Sequence, residues 1–245
     1  MDYIIFFSIV NLILISRLRL TMRDDGISGR KDLFWLTIIP LLILPFLSVN
    51  LSWFLLALYL LIRPLVLTFL ERSNNRLNRN RIFTLSANIL VIGLLASPLF
   101  EMRFAYWSET ASEWLIDIFL MEESFVDWLY FNAVLFGLLM VLNESNIAIR
   151  FTLEKLNLAP LSNDHHKIDD EQFQTGRVIG FLERIFVFLF ILLNQYTAIG
   201  FIIAAKGIVR YPDFGKKSFN EYILIGTLIS VLFAMFSAYA TKIFL

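Results

Sequence analysis

Apolar runs of near-membrane length alternate along this chain with short polar connectors, and nearly every charge sits in a connector or at the end of a run. The runs cover residues 3–15, 33–49, 51–70, 82–100, 128–142, 178–193, 196–209 and 222–244. A helix needs roughly 20 residues to cross the hydrocarbon layer. Most of these runs approach that length, and none shows the strict alternation of a half-buried strand. The chain is 58% hydrophobic with 25 Phe, more apolar than a soluble domain of 245 residues can hide in its interior. The expected fold is all-α: a polytopic transmembrane helical protein of about 7–8 spans.

The ends of the runs carry the orientation. Of the 21 Lys and Arg, 18 lie in or beside the connectors after the first, third, fifth and seventh runs. Basic connectors stay on the cytoplasmic side of a membrane. Both termini and the acidic segment are therefore expected outside. Asp2 precedes the first run and the basic residues follow it, the reverse of a secretory leader, so this run reads as a retained anchor. It is short, and Arg17 and Arg19 are expected to snorkel. Pro40 and Pro45 should kink the second run, with neighbours satisfying the freed carbonyls. Asn50 alone separates it from the third, which Arg63-Pro64 should interrupt near its far end.

Residues 101–127 differ in kind, with seven acids against one base, Arg103. Glu109, Glu113 and Asp117 recur every fourth residue and so share one helical face, while Trp114 and Ile118 share another. This is expected to be an external interfacial helix whose acidic face attracts cations. The fifth run continues helically toward Leu158 and should project into the cytoplasm until Pro160. The organisation expected is four blocks: 1–100, N-terminal membrane helices; 101–127, the acidic segment; 128–175, a membrane helix with a cytoplasmic extension; and 176–245, C-terminal membrane helices.

Within the last block, Glu183, Arg184, Lys206, Arg210 and Glu221 should converge at the cytoplasmic boundary, as an ion-pair clasp or as a gate. Gly176, Gly180, Gly200, Gly207 and Gly226 look like positions of close helix approach, with Gly176 and Gly180 in a small-xxx-small spacing. Asn88 and Asn132 read as hydrogen-bonding residues between helices, and Asn194-Gln195 as a turn. His165 and His166 are adjacent in a polar loop without recognised ligand spacing, so no metal is expected. The basic residues from Arg72 to Arg81 are accounted for by the orientation rule. The chain has no Cys, no nucleophile–base pair and no Gly-rich phosphate loop, so neither an enzyme nor a cofactor is expected.

The C-terminal pattern resembles an uncharacterised family of bacterial multi-pass inner-membrane proteins. Gly176, Arg177, Ile179, Gly180, Leu182, Glu183 and Arg184 carry its first motif. Ala198 to Phe201, Ala204 to Lys206 and Arg210 carry the second, and Glu221, Tyr222, Leu224 to Thr227 and Ser230 the third. The stretch from Asn143 to Pro160 is also similar. The likeness covers roughly the last 100 residues; Gly207 stands for the family's usual Ser and Tyr211 for its Phe. It implies residence in the bacterial inner membrane, and it carries no activity over to this chain. The His residues that suggest a metal site in some relatives have no counterpart here.

Three functions follow as expectations. The first is an oligomeric ion channel or membrane-perturbing effector, which a role in bacterial defence would suit. The alternative is a non-catalytic scaffold or receptor that docks a cytoplasmic protein through residues 143–175. A membrane-embedded enzyme comes last. The expected partners are the lipid bilayer and further copies of the chain, with no nucleic acid.

Overall fold

The computed structural model describes residues 2–21, 27, 29–71, 77–119, 127–156, 170–210 and 217–244. Among them the fold is all-helical, with one isolated β-bridge between Leu47 and Phe104. The helices are α1 (Tyr3–Thr21), α2 (Arg30–Leu41), α3 (Leu51–Glu71), α4 (Leu77–Leu95), α5 (Tyr106–Phe119), α6 (Trp128–Leu139), α7 (Ser145–Lys155), α8 (Asp170–Leu192), α9 (Tyr196–Arg210) and α10 (Lys217–Lys242). Three helical stretches are long and apolar enough to cross a membrane: Leu51–Glu71, Trp128–Lys155 and Leu224–Lys242. The chain divides into two compact units, residues 1–139 with Phe244, and residues 140–243 with Leu245.

The first unit is organised around α1, which contacts α2, α4 and α6. Ile5, Phe7, Ile9, Val10, Ile13 and Leu14 are buried on more than one side of it. The run read as a short anchor is thus the centre of its unit. Asp2 caps it, accepting from the Ile4 and Ile5 N–H groups at 3.1 and 3.2 Å. Its Asn11 donates to the Asn132 carbonyl at 3.0 Å, and Ser8 donates to the Asn132 side chain at 3.3 Å. Asn88 likewise accepts from the Tyr59 hydroxyl at 2.7 Å. Both Asn residues therefore join helices as expected.

Helix α3 buries Ser52, Leu56, Leu60, Arg63, Leu67 and Glu71 along one stripe, yet exposes Phe54, Leu58, Leu61, Leu65 and Phe69. A helix apolar on both its packed and its exposed faces is suited to lipid rather than water. It runs unbroken through Pro64, contrary to the expected interruption. The second run is shorter than expected as a helix: α2 stops at Leu41, and Pro45 lies in a 3₁₀ turn, Leu44–Phe46. Asn50 caps α3 by accepting from the Trp53 N–H at 3.0 Å and donates to the Glu101 carbonyl at 3.2 Å. With the Ser48 N–H on the Arg103 carbonyl (3.0 Å) and the Ala105 N–H on the Phe46 carbonyl (2.8 Å), this pins the α2–α3 and α4–α5 connections together.

The second unit begins where α6 gives way to a π-helical turn, Met140–Glu144. The Ser145 hydroxyl donates to the Met140 carbonyl at 3.2 Å and so satisfies a carbonyl in the widened turn. Helix α7 follows and packs on α10, and it buries Ile147, Ile149 and Leu153. This part of the expected cytoplasmic extension is therefore held inside the unit; residues 157–169 lie outside the described residues. Helix α8 starts at Asp170, within the stretch read as polar loop. Its C-terminus is a Schellman cap: the Asn194 N–H bonds the Ile191 carbonyl (3.1 Å) and the Gln195 N–H the Phe190 carbonyl (2.7 Å). Asn194 takes the left-handed conformation, φ 59°, which Asn tolerates better than most residues.

Two polar contacts make α8 and α10 parallel neighbours. Arg184 meets Ser230 at one level, and Lys242 donates to the Asn194 side chain at 2.6 Å about ten residues further along. Between them α8 buries Val187, Phe188 and Ile191, while α10 buries the small residues Ala234 and Ala238. Large side chains on one helix against Ala on the other allow the axes to approach closely.

Candidate functional site

The second unit brings together three of the five expected boundary charges. Successive residues on a helix point about 100° apart. Glu183 and Arg184 therefore address different neighbours. Glu183 turns to α9 and accepts from the Lys206 ammonium, with both side chains about five-sixths buried (15% and 17% exposed). Arg184 turns to α10 and donates from Nη1 to the Ser230 hydroxyl at 3.3 Å. It is only 6% exposed. Its side chain folds back toward the start of α8, the usual direction for a long helical side chain. That places the guanidinium 5.0 Å from the centre of the Phe181 ring, a cation–π contact. Arg184 Nε has no hydrogen-bond partner. The side chains of Arg210 and Glu221 lie outside the described residues, so the five-charge clasp stands here as one ion pair and one separate guanidinium.

The glycines divide as well. A Cβ added at Gly180 would lie 3.7 Å from Arg184 Nη1. Gly180 is thus a seat for the guanidinium rather than a contact between helices. At Gly200, Gly207 and Gly226 an added Cβ would meet nothing within 4 Å, so the expected close approach is not made among the described residues. The surroundings of Gly176 lie outside the described residues.

Helix α5 forms where the 3.6-residue periodicity places it. Glu109 is exposed, as are Trp107 and Trp114, and Trp107 packs on Phe46 with ring centres 5.1 Å apart. Glu113 and Asp117 share the Glu109 face by spacing; their side chains lie outside the described residues. His165 and His166 also lie outside them. Among the described residues no group of three His, Cys, Asp or Glu side chains is placed to hold a metal ion.

The sequence reading missed a second set of buried charges, in the first unit. Arg81 is fully enclosed, 2% exposed, and grips Glu71 with two bonds, Nε to Oε1 at 3.1 Å and Nη2 to Oε2 at 3.3 Å. The fork-to-carboxylate geometry closes the α3–α4 hairpin across residues 72–76. Arg17, expected to snorkel, is instead buried and donates to the Arg81 carbonyl at 3.1 Å and the Thr84 hydroxyl at 3.4 Å. Arg63 donates to the Leu36 carbonyl at 3.3 Å. That carbonyl is the one Pro40 leaves without its i+4 donor. The signal was present in the sequence: Pro40 announced an orphan carbonyl, and Arg63 was a lone charge inside an apolar run.

An open cleft of about 330 Å³ lies at the other end of this unit, lined by Asp2, Ala96, Ser97, Glu101, Met102 and Arg103. Its one ion pair, Arg103–Glu101 at 3.9 Å, is largely solvent-exposed and contributes little. Comparison of the chain with family models, with curated proteins and with solved structures finds no match. Among the described residues, the fold and site define an all-helical protein with three helices fit to cross a membrane and buried charges in each of its two units.

Proposed function

We propose that this protein is a multi-pass protein of the bacterial inner membrane that acts as an oligomeric ion channel or membrane-perturbing effector. The three stretches Leu51–Glu71, Trp128–Lys155 and Leu224–Lys242 support the membrane reading; in the proposal the shorter helices would bring the passes to about 7–8. The observation that carries the reading is helix α5. It lines up Glu109, Glu113 and Asp117 by spacing beside the exposed Trp107 and Trp114. A Trp-bearing helix suits the membrane interface. Copies arranged about an axis would combine the acidic faces into a ring that concentrates cations. The break between α8 and the 15-residue α9 adds irregular backbone of the kind tolerated beside a conduction pathway.

Reconstitution in planar bilayers tests this. Cation-selective conductance should appear and should lose selectivity when all three acids are neutralised (E109Q, E113Q, D117N). Silence under every condition, or conductance indifferent to those changes, rejects the channel. Particle mass in nanodiscs should correspond to several copies. The bacterial inner-membrane location is part of the proposal and comes from the expected resemblance of the C-terminal motifs, which supplies no reaction.

A further inference from the structure

Among the described residues, an arginine of the second unit is buried with no carboxylate bonded to it, Glu183 acting on it only through space. Arg184 bonds the Ser230 hydroxyl, lies over the Phe181 ring and leaves Nε without a partner. The neighbouring carboxylate, Glu183, is engaged with Lys206 on another helix. Glu221 is nine residues before Ser230 on α10, and so about 13 Å away along the axis. A buried cation without an anion is costly, because desolvation is not repaid by a countercharge.

The surroundings indicate what kind of anion would repay it. The first eight residues of α8, DEQFQTGR, are polar, and the apolar run begins at Val178. The folded-back guanidinium lies near the level of Gly180, only roughly 5 Å past that boundary. On the proposed reading of α8 as a membrane pass starting at Val178, this is the edge of the apolar layer, within reach of a lipid phosphate, rather than the bilayer centre. Gly180 is half-buried and carries no side chain to block an approach, while Ile179 beside it is exposed. A guanidinium is planar, weakly hydrated and forked, and it matches two phosphate oxygens. Basic pockets between membrane helices on the basic side hold phosphate head groups for the same reason.

We propose that Arg184, seated on Gly180 and backed by Phe181 and Ser230, is the anchor of a phosphate-binding site on α8 and α10, taking the phosphate of an anionic phospholipid. The site needs neither conductance nor any oligomer number. It gives Gly180 a specific part: admitting the head group to the guanidinium.

The test uses the full chain purified in detergent, with thermal unfolding followed by Trp fluorescence and retained lipid counted by native mass spectrometry. Phosphatidylglycerol should raise the midpoint and be retained, whereas phosphatidylcholine should do neither. R184Q should weaken phosphatidylglycerol binding by about ten- to a hundredfold, the loss of one charge-assisted contact. R184K should bind between the two, because an ammonium keeps the charge and loses the fork. G180L, which fills the approach and leaves Arg184 in place, should lose the lipid response while still folding. An equal midpoint shift from inorganic phosphate, abolished by R184Q, would support the site and identify free phosphate as its ligand. Unchanged phosphatidylglycerol binding in both R184Q and G180L would overturn the proposal. So would an oligomer that R184Q dissociates but phosphatidylglycerol does not affect, since the guanidinium would then pair with a second copy.

Discussion

Both units bury a guanidinium, and they treat it in opposite ways. Arg81, in the first unit, faces a carboxylate through two hydrogen bonds and lends its own carbonyl to Arg17. Arg184, in the second, has a hydroxyl, a ring face and an unused N–H. The first arrangement is complete within the chain. The second has donors left over. The same residue type is therefore a structural bond in one place and a binding group in the other, and burial alone does not tell them apart. What separates them is whether the neighbouring helix supplies an acid at the same level.

The comparison can be broken at several points. The largest effect is expected from E71A, which removes the carboxylate bonded to Arg81 in a closed site. Breaking a buried pair from one side costs about 3–5 kcal/mol, so thermal unfolding should show a severely destabilised protein; a near-neutral E71A would mean that Arg81 does not depend on its acid. Next comes R184Q in protein stripped of anionic lipid. Removing a buried charge that no carboxylate bonds should leave stability unchanged or raise it by about 1–2 kcal/mol, within the penalty for an unpaired buried polar group. A loss as large as that of E71A would place Arg184 in the same class as Arg81.

The Glu183–Lys206 pair lies between these extremes because water still reaches it. A double-mutant cycle of E183Q and K206M should return a coupling of about 1 kcal/mol. Zero coupling would make it a contact without energetic weight, and 3 kcal/mol or more would make it a buried bond like Glu71–Arg81. The smallest effects are expected at Gly200 and Gly226. With open space around each, G200A and G226A should be neutral or stabilise their helices by up to about 1 kcal/mol, the propensity difference between Ala and Gly. A fall in particle mass instead would mean that these glycines receive a second copy.

Much of the local structure was legible in the residues. Pro40 and its missing N–H announced an orphan carbonyl at Leu36, and a neighbour does satisfy it. Asn194-Gln195 read as a turn and forms a left-handed cap. Asn88 and Asn132 read as interhelical bonds and make them. The site was less legible. Glu183 pairs with Lys206 as adjacent helix ends suggested, while Arg184, one residue on, points elsewhere, because a 100° step sends it to a different helix. Charge counting assigned Arg17 and Arg81 to solvated connectors. It could not see that α1 sits at the centre of its unit and holds both of them inside.

Periodicity, run length and charge placement determine that the described residues are helical and roughly where the helices lie, though α2 ends and α8 begins well away from the ends of their apolar runs. Those are properties of neighbours along the chain, set by hydropathy and backbone chemistry. Which helix lies against which is set by contacts between residues far apart in sequence, and only the tertiary structure decides it. That decision makes a bond of Arg81 and leaves Arg184 open. It also turns Gly180 from a packing residue into the seat of a guanidinium. The physical reason is that the cost of a buried charge depends on what faces it, and a linear sequence does not say what faces what.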